Sequence, residues 1–243
     1  MKKILFMITF FYTTLLMAHG PNYNLAEEAK KRGDFKSALK HTLKQLEADL
    51  DTYGKDTKET IISYSKAGYY SEKIGEYNKA LEYSFKAVAV QNKLSKKSDS
   101  TIASAYNNIG GIYTKMEKYE DALKYYFISL TIQKKLFGKN HRTAAITYNN
   151  IAKVYRKQEK YSKALEYYIN TLKIREETLG MDHYSTALTH SNIGLIYVKM
   201  KKYNKALEEL NITLAVQEKM FGKEHSFTKK TLRNIEYVKN KRM

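Results

Sequence analysis

The chain has 243 residues, enough for one or two ordinary domains or one extended repeat array. It has no cysteine, which excludes disulfides, thiolate metal sites, thiol nucleophiles and a lipidated N-terminal cysteine. Lys and Arg number 43 against 25 Asp and Glu, a net +18 that fits an anionic partner and equally a lysine-rich proteome, while 22 tyrosines make the chain too aromatic for disorder.

Residues 1–20 differ in character from the rest of the chain. Lys2 and Lys3 precede an uncharged run from Ile4 to Met17, and Ala18 and Gly20 supply small residues at its end. These are the parts of a secretory signal peptide. The run is shorter than the ~20 apolar residues of a membrane-spanning helix. Cleavage after Ala18 or Gly20, or retention as an N-terminal anchor, are the alternatives, and removal leaves a formal +16. The localisation expected is export, to a bacterial periplasm or beyond.

From residue 33 the chain repeats itself. Phe35, Tyr77, Tyr119, Tyr161 and Tyr203 recur at steps of 42, each followed by Ala and Leu at fixed offsets. Gly54, Gly138, Gly180 and Gly222 keep the same step, with Lys96 in the missing place, as do His141, His183 and His225. A constant period in this range means stacked supersecondary units. Within a unit the spacing is helical: Tyr106, Ile109, Gly110 and Tyr113 share one face, and Tyr119, Ala122, Leu123, Tyr126 and Leu130 share another. Lys115 to Lys118 leaves room only for a tight turn. Each unit therefore reads as a helical hairpin, helix A then helix B. Gly110, Ala122 and Ser129 stand where the two helices approach. One hairpin cannot bury its apolar face alone, so neighbours stack.

These columns resemble the tetratricopeptide repeat, in a 42-residue form with Asn149-Asn150 in helix A and Leu179-Gly180-Met181-Asp182-His183 after helix B that looks like the kinesin-light-chain type. Arg142, Tyr184 and Ser226 stand where that type usually has proline. The resemblance implies an all-α, right-handed superhelical solenoid of stacked antiparallel helix pairs. Its expected domains are a signal peptide at 1–20 and a repeat domain at 21–243. The repeats fall at 22–58, 59–100, 101–142, 143–184 and 185–226, with a capping helix at 227–243. A looser joint is expected at Ser95-Lys96-Lys97-Ser98, where both Gly and His are missing.

In proteins with this repeat, helix A lines a concave groove where peptides lie. Carried over by column, the resemblance places Asn108, Asn150 and Asn192 in that groove, with Asn107 and Asn149 beside two of them. An asparagine amide both donates and accepts, so a ladder of them could pair with a peptide backbone. The alternative is that they only solvate helix A. Lys153 and Arg156 lie nearby, and Lys115, Lys157 and Lys199 recur near the end of helix A, able to draw in an acidic segment or simply to favour the helix dipole. Three histidines 42 residues apart lie on different hairpins, whose helices pack ~8–10 Å apart. They cannot converge on one zinc that needs ligands at ~2 Å, so they are read as turn stabilisers. Tyr83, Tyr125 and Tyr167 are expected to add contact area.

No phosphate-cradling glycine loop, His-Glu-x-x-His or nucleophile elbow occurs. The reading is a non-catalytic scaffold or adaptor, without metal, cofactor or small-molecule substrate, that binds an extended, acidic segment of another protein. Two other readings stand beside it: a charge-driven binder of an anionic polymer or membrane surface, and the sensor module of a signalling complex. An export signal argues against nucleic acid, and leaves membrane contact to a retained N-terminal segment.

Overall fold

The small and aromatic columns settle into eleven helices and, among the described residues, no strand. The computed structural model describes residues 20–94 and 100–242. The expected signal segment before Gly20 and the expected loose joint at Ser95-Lys96-Lys97-Ser98 lie outside the described residues.

The helices are α1 (Pro21–Lys31), α2 (Phe35–Tyr53), α3 (Lys58–Lys73), α4 (Tyr77–Leu94), α5 (Ser100–Lys115), α6 (Tyr119–Phe137), α7 (Arg142–Lys157), α8 (Tyr161–Leu179), α9 (Tyr184–Lys199), α10 (Tyr203–Phe221) and α11 (Ser226–Arg242). Odd-numbered helices are the A helices of the repeat and even-numbered ones the B helices. The chain divides into two compact units, one ending at Ala105 and the other starting at Tyr106. In the first, α1 packs on α2, α2 on α3, and α3 on α4. In the second, α6 packs on α7, and the chain of contacts runs on through α8, α9 and α10 to α11.

The alanine of each B helix explains the close approach. Ala38, Ala80, Ala122, Ala164 and Ala206 are all completely buried. On the A side, Ile109, Ile151, Ile193 and Ile235 are at most 5% exposed. At Gly110 a methyl group would stand 2.8 Å from the Tyr126 ring, and at Gly194 one would stand 3.0 Å from Leu210 Cγ. In α11 the same column holds Glu236, which is exposed. The buried residues of α11 are Thr228, Thr231, Ile235 and Val238. Its lysines are exposed.

Two turns recur. Helix A ends in a left-handed residue, Gly33 or Gly75 in the first unit but Glu117, Glu159 or Lys201 (φ 58–59°) in the second. Bonds such as Lys160 N–H to Tyr155 O at 2.9 Å close these ends in the Schellman manner. Helices α2, α6, α8 and α10 end at a positive-φ glycine, and the next A helix is capped three residues later. The histidines supply that cap: Nδ1 of His141, His183 and His225 accepts from the backbone N–H of Thr143, Ser185 and Phe227 at 3.3, 3.0 and 3.2 Å. His141 also stacks on Phe137, and His225 on Phe221. Thr57 fills the equivalent place with a capping box to Thr60. The histidines are thus turn elements, as their spacing implies.

Candidate binding groove

A polar seam joins α2 to α3, α6 to α7, α8 to α9 and α10 to α11. Asp49 Oδ2 accepts from Ser63 Oγ at 2.5 Å. The same register, at multiples of 42 residues, gives Thr147 Oγ1 to Gln133 Oε1 at 3.0 Å, Arg175 Nη1 to Thr189 Oγ1 at 2.8 Å and Thr231 Oγ1 to Gln217 Oε1 at 2.8 Å. Each partner lies 14 residues on. Five positions form the helix B side of the seam: Asp49, Gln91, Gln133, Arg175 and Gln217. The hydroxyl is missing opposite Gln91, where Ala105 stands at the border of the two units. Buried polar groups need partners, and this seam provides them.

The asparagines of the A helices meet this seam unequally. Asn108 is exposed, and Asn150 and Asn192 are half-buried. Asn107 Oδ1 accepts from both Asn150 Nδ2 and Thr147 Oγ1 at 3.2 Å. Asn107 is therefore engaged between two repeats, and Asn150 spends one of its donors there. Asn149 is 8% exposed and lies in the core rather than on a groove surface. The surface-accessible part of the expected ladder is Asn108, Asn150 and Asn192.

The cations around Asn150 form a cluster that Lys153 and Arg156 alone do not disclose. The third member is Arg175, brought from α8 by the seam, where its Nη1 also donates to Ser185 O at 2.7 Å. Burial, then the positive charges of Arg175 and Arg156, push the Lys153 ammonium below the usual lysine range. Burial also lowers the Arg175 guanidinium. Among the described residues none of the three has a carboxylate partner. Uncompensated, partly desolvated cations on one face are an anion site in waiting. Sequence reading misses Arg175 because its column is polar rather than apolar; the visible signal is a single arginine among Asp and Gln.

Lys115, Lys157 and Lys199 are exposed at the ends of their helices. Lys157 and Lys199 join Arg156, Asn234, Leu195 and Val198 around a cleft of about 880 Å³. Tyr83, Tyr125 and Tyr167 are half-buried and stack within their own hairpins, on Tyr64, on Tyr106 and Tyr113, and on Tyr155. They are chiefly hairpin packing. In the fifth repeat His190 and Glu209 replace that tyrosine pair, with Nδ1 2.6 Å from Glu209 Oε2. His190 is 4% exposed, so its imidazole is part of the hairpin packing. No group of three His, Asp or Glu among the described residues could hold a metal ion.

Residues 101–177 and 143–219 each match the tetratricopeptide repeat family model. The search of curated proteins finds no match. Among solved structures, BtubC (BKLC) from P. vanneervenii aligns with TM-score 0.74 at 17% identity, over 85% of this chain and 84% of that one. TPR-like repeats from a Podosopora anserina protein described as a kinesin light chain align at 0.71 and 17%, over 85% and 96%. The apo form of RapI aligns at 0.72 and 18%, over 90% and 82%. At these identities the likeness is one of fold.

Proposed function

The chain is a tetratricopeptide-repeat protein whose 42-residue repeats resemble those of kinesin light chains, and from that premise we propose that it is a non-catalytic adaptor holding an extended, acidic segment of another protein against the A helices of its second unit. Tetratricopeptide repeats are protein-interaction scaffolds; the acidic character of the segment is the further step. One observation carries it: Lys153, Arg156 and Arg175 face one another without a carboxylate in reach. A ligand carboxylate entering there gains charge-assisted hydrogen bonds and relieves cation–cation repulsion. Asn150 and Asn192 stand ready to bond the backbone of the segment on either side, whatever its side chains.

The export reading belongs to the same proposal. Lys2, Lys3 and the apolar run to Met17 would carry the chain to the cell envelope, where the partner would be met. N-terminal sequencing of the protein from envelope fractions tests this; a chain beginning at Met1 in the cytoplasm would overturn it.

The adaptor reading is tested by cross-linked capture from the native envelope fraction, with wild type beside a variant carrying Asn108→Ala, Asn150→Ala and Asn192→Ala. A protein held by wild type and lost by the folded variant is the expected result. Equal capture by both, abolished by moderate salt, would replace the groove with charge-driven surface binding.

A further inference from the structure

The edge of the second unit where A helices turn into B helices carries far more positive charge than the repeat requires. Residues 157–163, 199–205 and 239–242 hold ten lysines and arginines against the single acid Glu159, a formal +9 and half the net charge of the whole chain. All ten are exposed. The ion pairs of the described residues lie elsewhere, and none of the ten joins one. The three segments form one continuous edge: Lys201, Lys202 and Lys205 line a depression with Arg242, and Lys157, Lys199 and Lys241 line the neighbouring cleft.

Hairpin geometry does not demand this charge. The equivalent turn of the third repeat, residues 115–121, carries Lys115 and Lys118 against Glu117, Glu120 and Asp121, a formal −1. In the first unit Lys79 is neutralised by Glu76 at 2.9 Å. Over the matching seven positions the formal charge is +2 at 31–37, +1 at 73–79, +2 at 157–163 and +4 at 199–205, so the excess peaks in the fifth repeat, beside the basic end of the last helix. It adjoins the groove cluster, whose Arg156 lines the same cleft, while Lys153 and Arg175 are not among the residues lining it.

The chemistry of the cations narrows the occupant. Nine of the ten are lysines. Arginine is the residue for bidentate recognition of a particular carboxylate, whereas lysine acts as a hydrated, mobile point charge suited to a diffuse anionic surface. Tyrosines are interleaved: Tyr161 and Tyr203 are half-buried at the edge, and Tyr237 is 54% exposed beside Lys241. Lysine stems and tyrosine rings together are the side chains that sit at the headgroup level of a bilayer. Lys163 and Lys205 lie over Tyr155 and Tyr197 at 5.5 and 5.8 Å, which holds their charges outward along the edge.

We propose that this edge docks on the anionic headgroup surface of a lipid bilayer, orienting the second unit on the membrane. The docking is peripheral and electrostatic, since no described helix is long and apolar enough to cross a membrane. It does not rest on the groove reading.

The test is co-sedimentation of the full chain with vesicles of phosphatidylcholine containing about one-third phosphatidylglycerol, and with vesicles of phosphatidylcholine alone. One variant carries Lys199→Gln, Lys201→Gln, Lys202→Gln and Lys205→Gln. Its control carries Lys36→Gln, Lys40→Gln, Lys44→Gln and Lys58→Gln, four exposed lysines of the first unit. Each basic residue at an anionic surface contributes roughly a five-fold factor, so the edge variant should lose on the order of several hundred-fold in affinity and the control little. Equal losses in both variants, or none in the edge variant, would overturn the assignment. So would equal binding to neutral vesicles, which would point to the apolar N-terminal segment. Tighter binding of polyglutamate than of anionic vesicles through the same lysines would replace the lipid with an acidic polypeptide.

Discussion

The two units use the same positions of the repeat with opposite charges. In the first unit Glu27 occupies the helix A column that holds Lys153 in the second, and Asp49 occupies the helix B column that holds Arg175. Lys66 stands in the asparagine column of Asn108, Asn150 and Asn192. The first unit closes these charges on itself: Lys66 pairs with Glu27 and lies 3.6 Å from the Tyr23 ring centroid, and Asp49 accepts from Gln45 and Ser63. The second leaves them open. One scaffold therefore offers a self-satisfied face and an unsatisfied one. Binding belongs where the polar groups lack partners, since satisfied groups gain little from a ligand.

The largest effect should come from breaking the closed face. Glu27→Gln leaves the Lys66 ammonium, only 20% exposed, without its charged partner. A loss of about 2 kcal/mol is expected in denaturant unfolding of the first unit. Unchanged stability would mean that Lys66 finds water as easily as Glu27.

The comparison sharpens if the closed pair is moved. Asn192→Lys with Lys153→Glu reproduces the Lys66–Glu27 arrangement in the second unit. Stability should change by no more than ~1 kcal/mol, because such pairs are partly screened by water. Capture of an acidic segment should nevertheless disappear. Retained capture would locate the site elsewhere.

Acid and alkali should then separate the units. The hydrogen bond from Lys66 holds the Glu27 carboxyl below its ordinary value of 4.5. The stability it lends is complete above that value and is lost as pH falls through the lowered one. Lys153 is the reverse case: its ammonium is disfavoured in the fold, so the second unit gains stability as pH rises from the lowered value toward 10.5. Hydrogen exchange resolved by residue should show the first unit opening first in acid and the second tightening in alkali. Parallel behaviour of both units would contradict the contrast.

Two smaller changes probe the second unit alone. Tyr168 Oη is buried without a hydrogen-bond partner, and burial raises the phenol to about 12. Tyr168→Phe should therefore keep or raise stability, by up to ~1 kcal/mol. Glu159→Gly relieves a left-handed backbone at φ 59° and should stabilise by about 0.5–1 kcal/mol in thermal unfolding.

Much of this was legible in the sequence, for reasons that can be named. A fixed step of 42 exposes every position that packing constrains, so Ala122, Gly110 and the histidine caps stand out by recurrence. Glycine at 33 and 75 marks a left-handed turn, but Glu117, Glu159 and Lys201 conceal the same backbone, because tertiary packing overrides their preference. The Asn-Asn pairs announce a polar column without saying which member faces out; burial of Asn149 and the double bond-acceptance of Asn107 decide that only in three dimensions. The seam that delivers Arg175 escaped because it couples residues 14 apart on different helices, a spacing no single-helix periodicity reveals.

The central claim is that open cations in the second unit select an acidic, extended segment. It is tested most directly by selecting peptides from a random display library on the full chain. The affinities of the enriched peptides are then compared between wild type and a Lys153→Gln, Arg175→Gln variant. Sequences with clustered Asp and Glu are predicted, with at least a ten-fold weakening in the variant, about 1.4 kcal/mol. Enrichment of neutral or basic peptides, or equal affinity for both proteins, would contradict the claim.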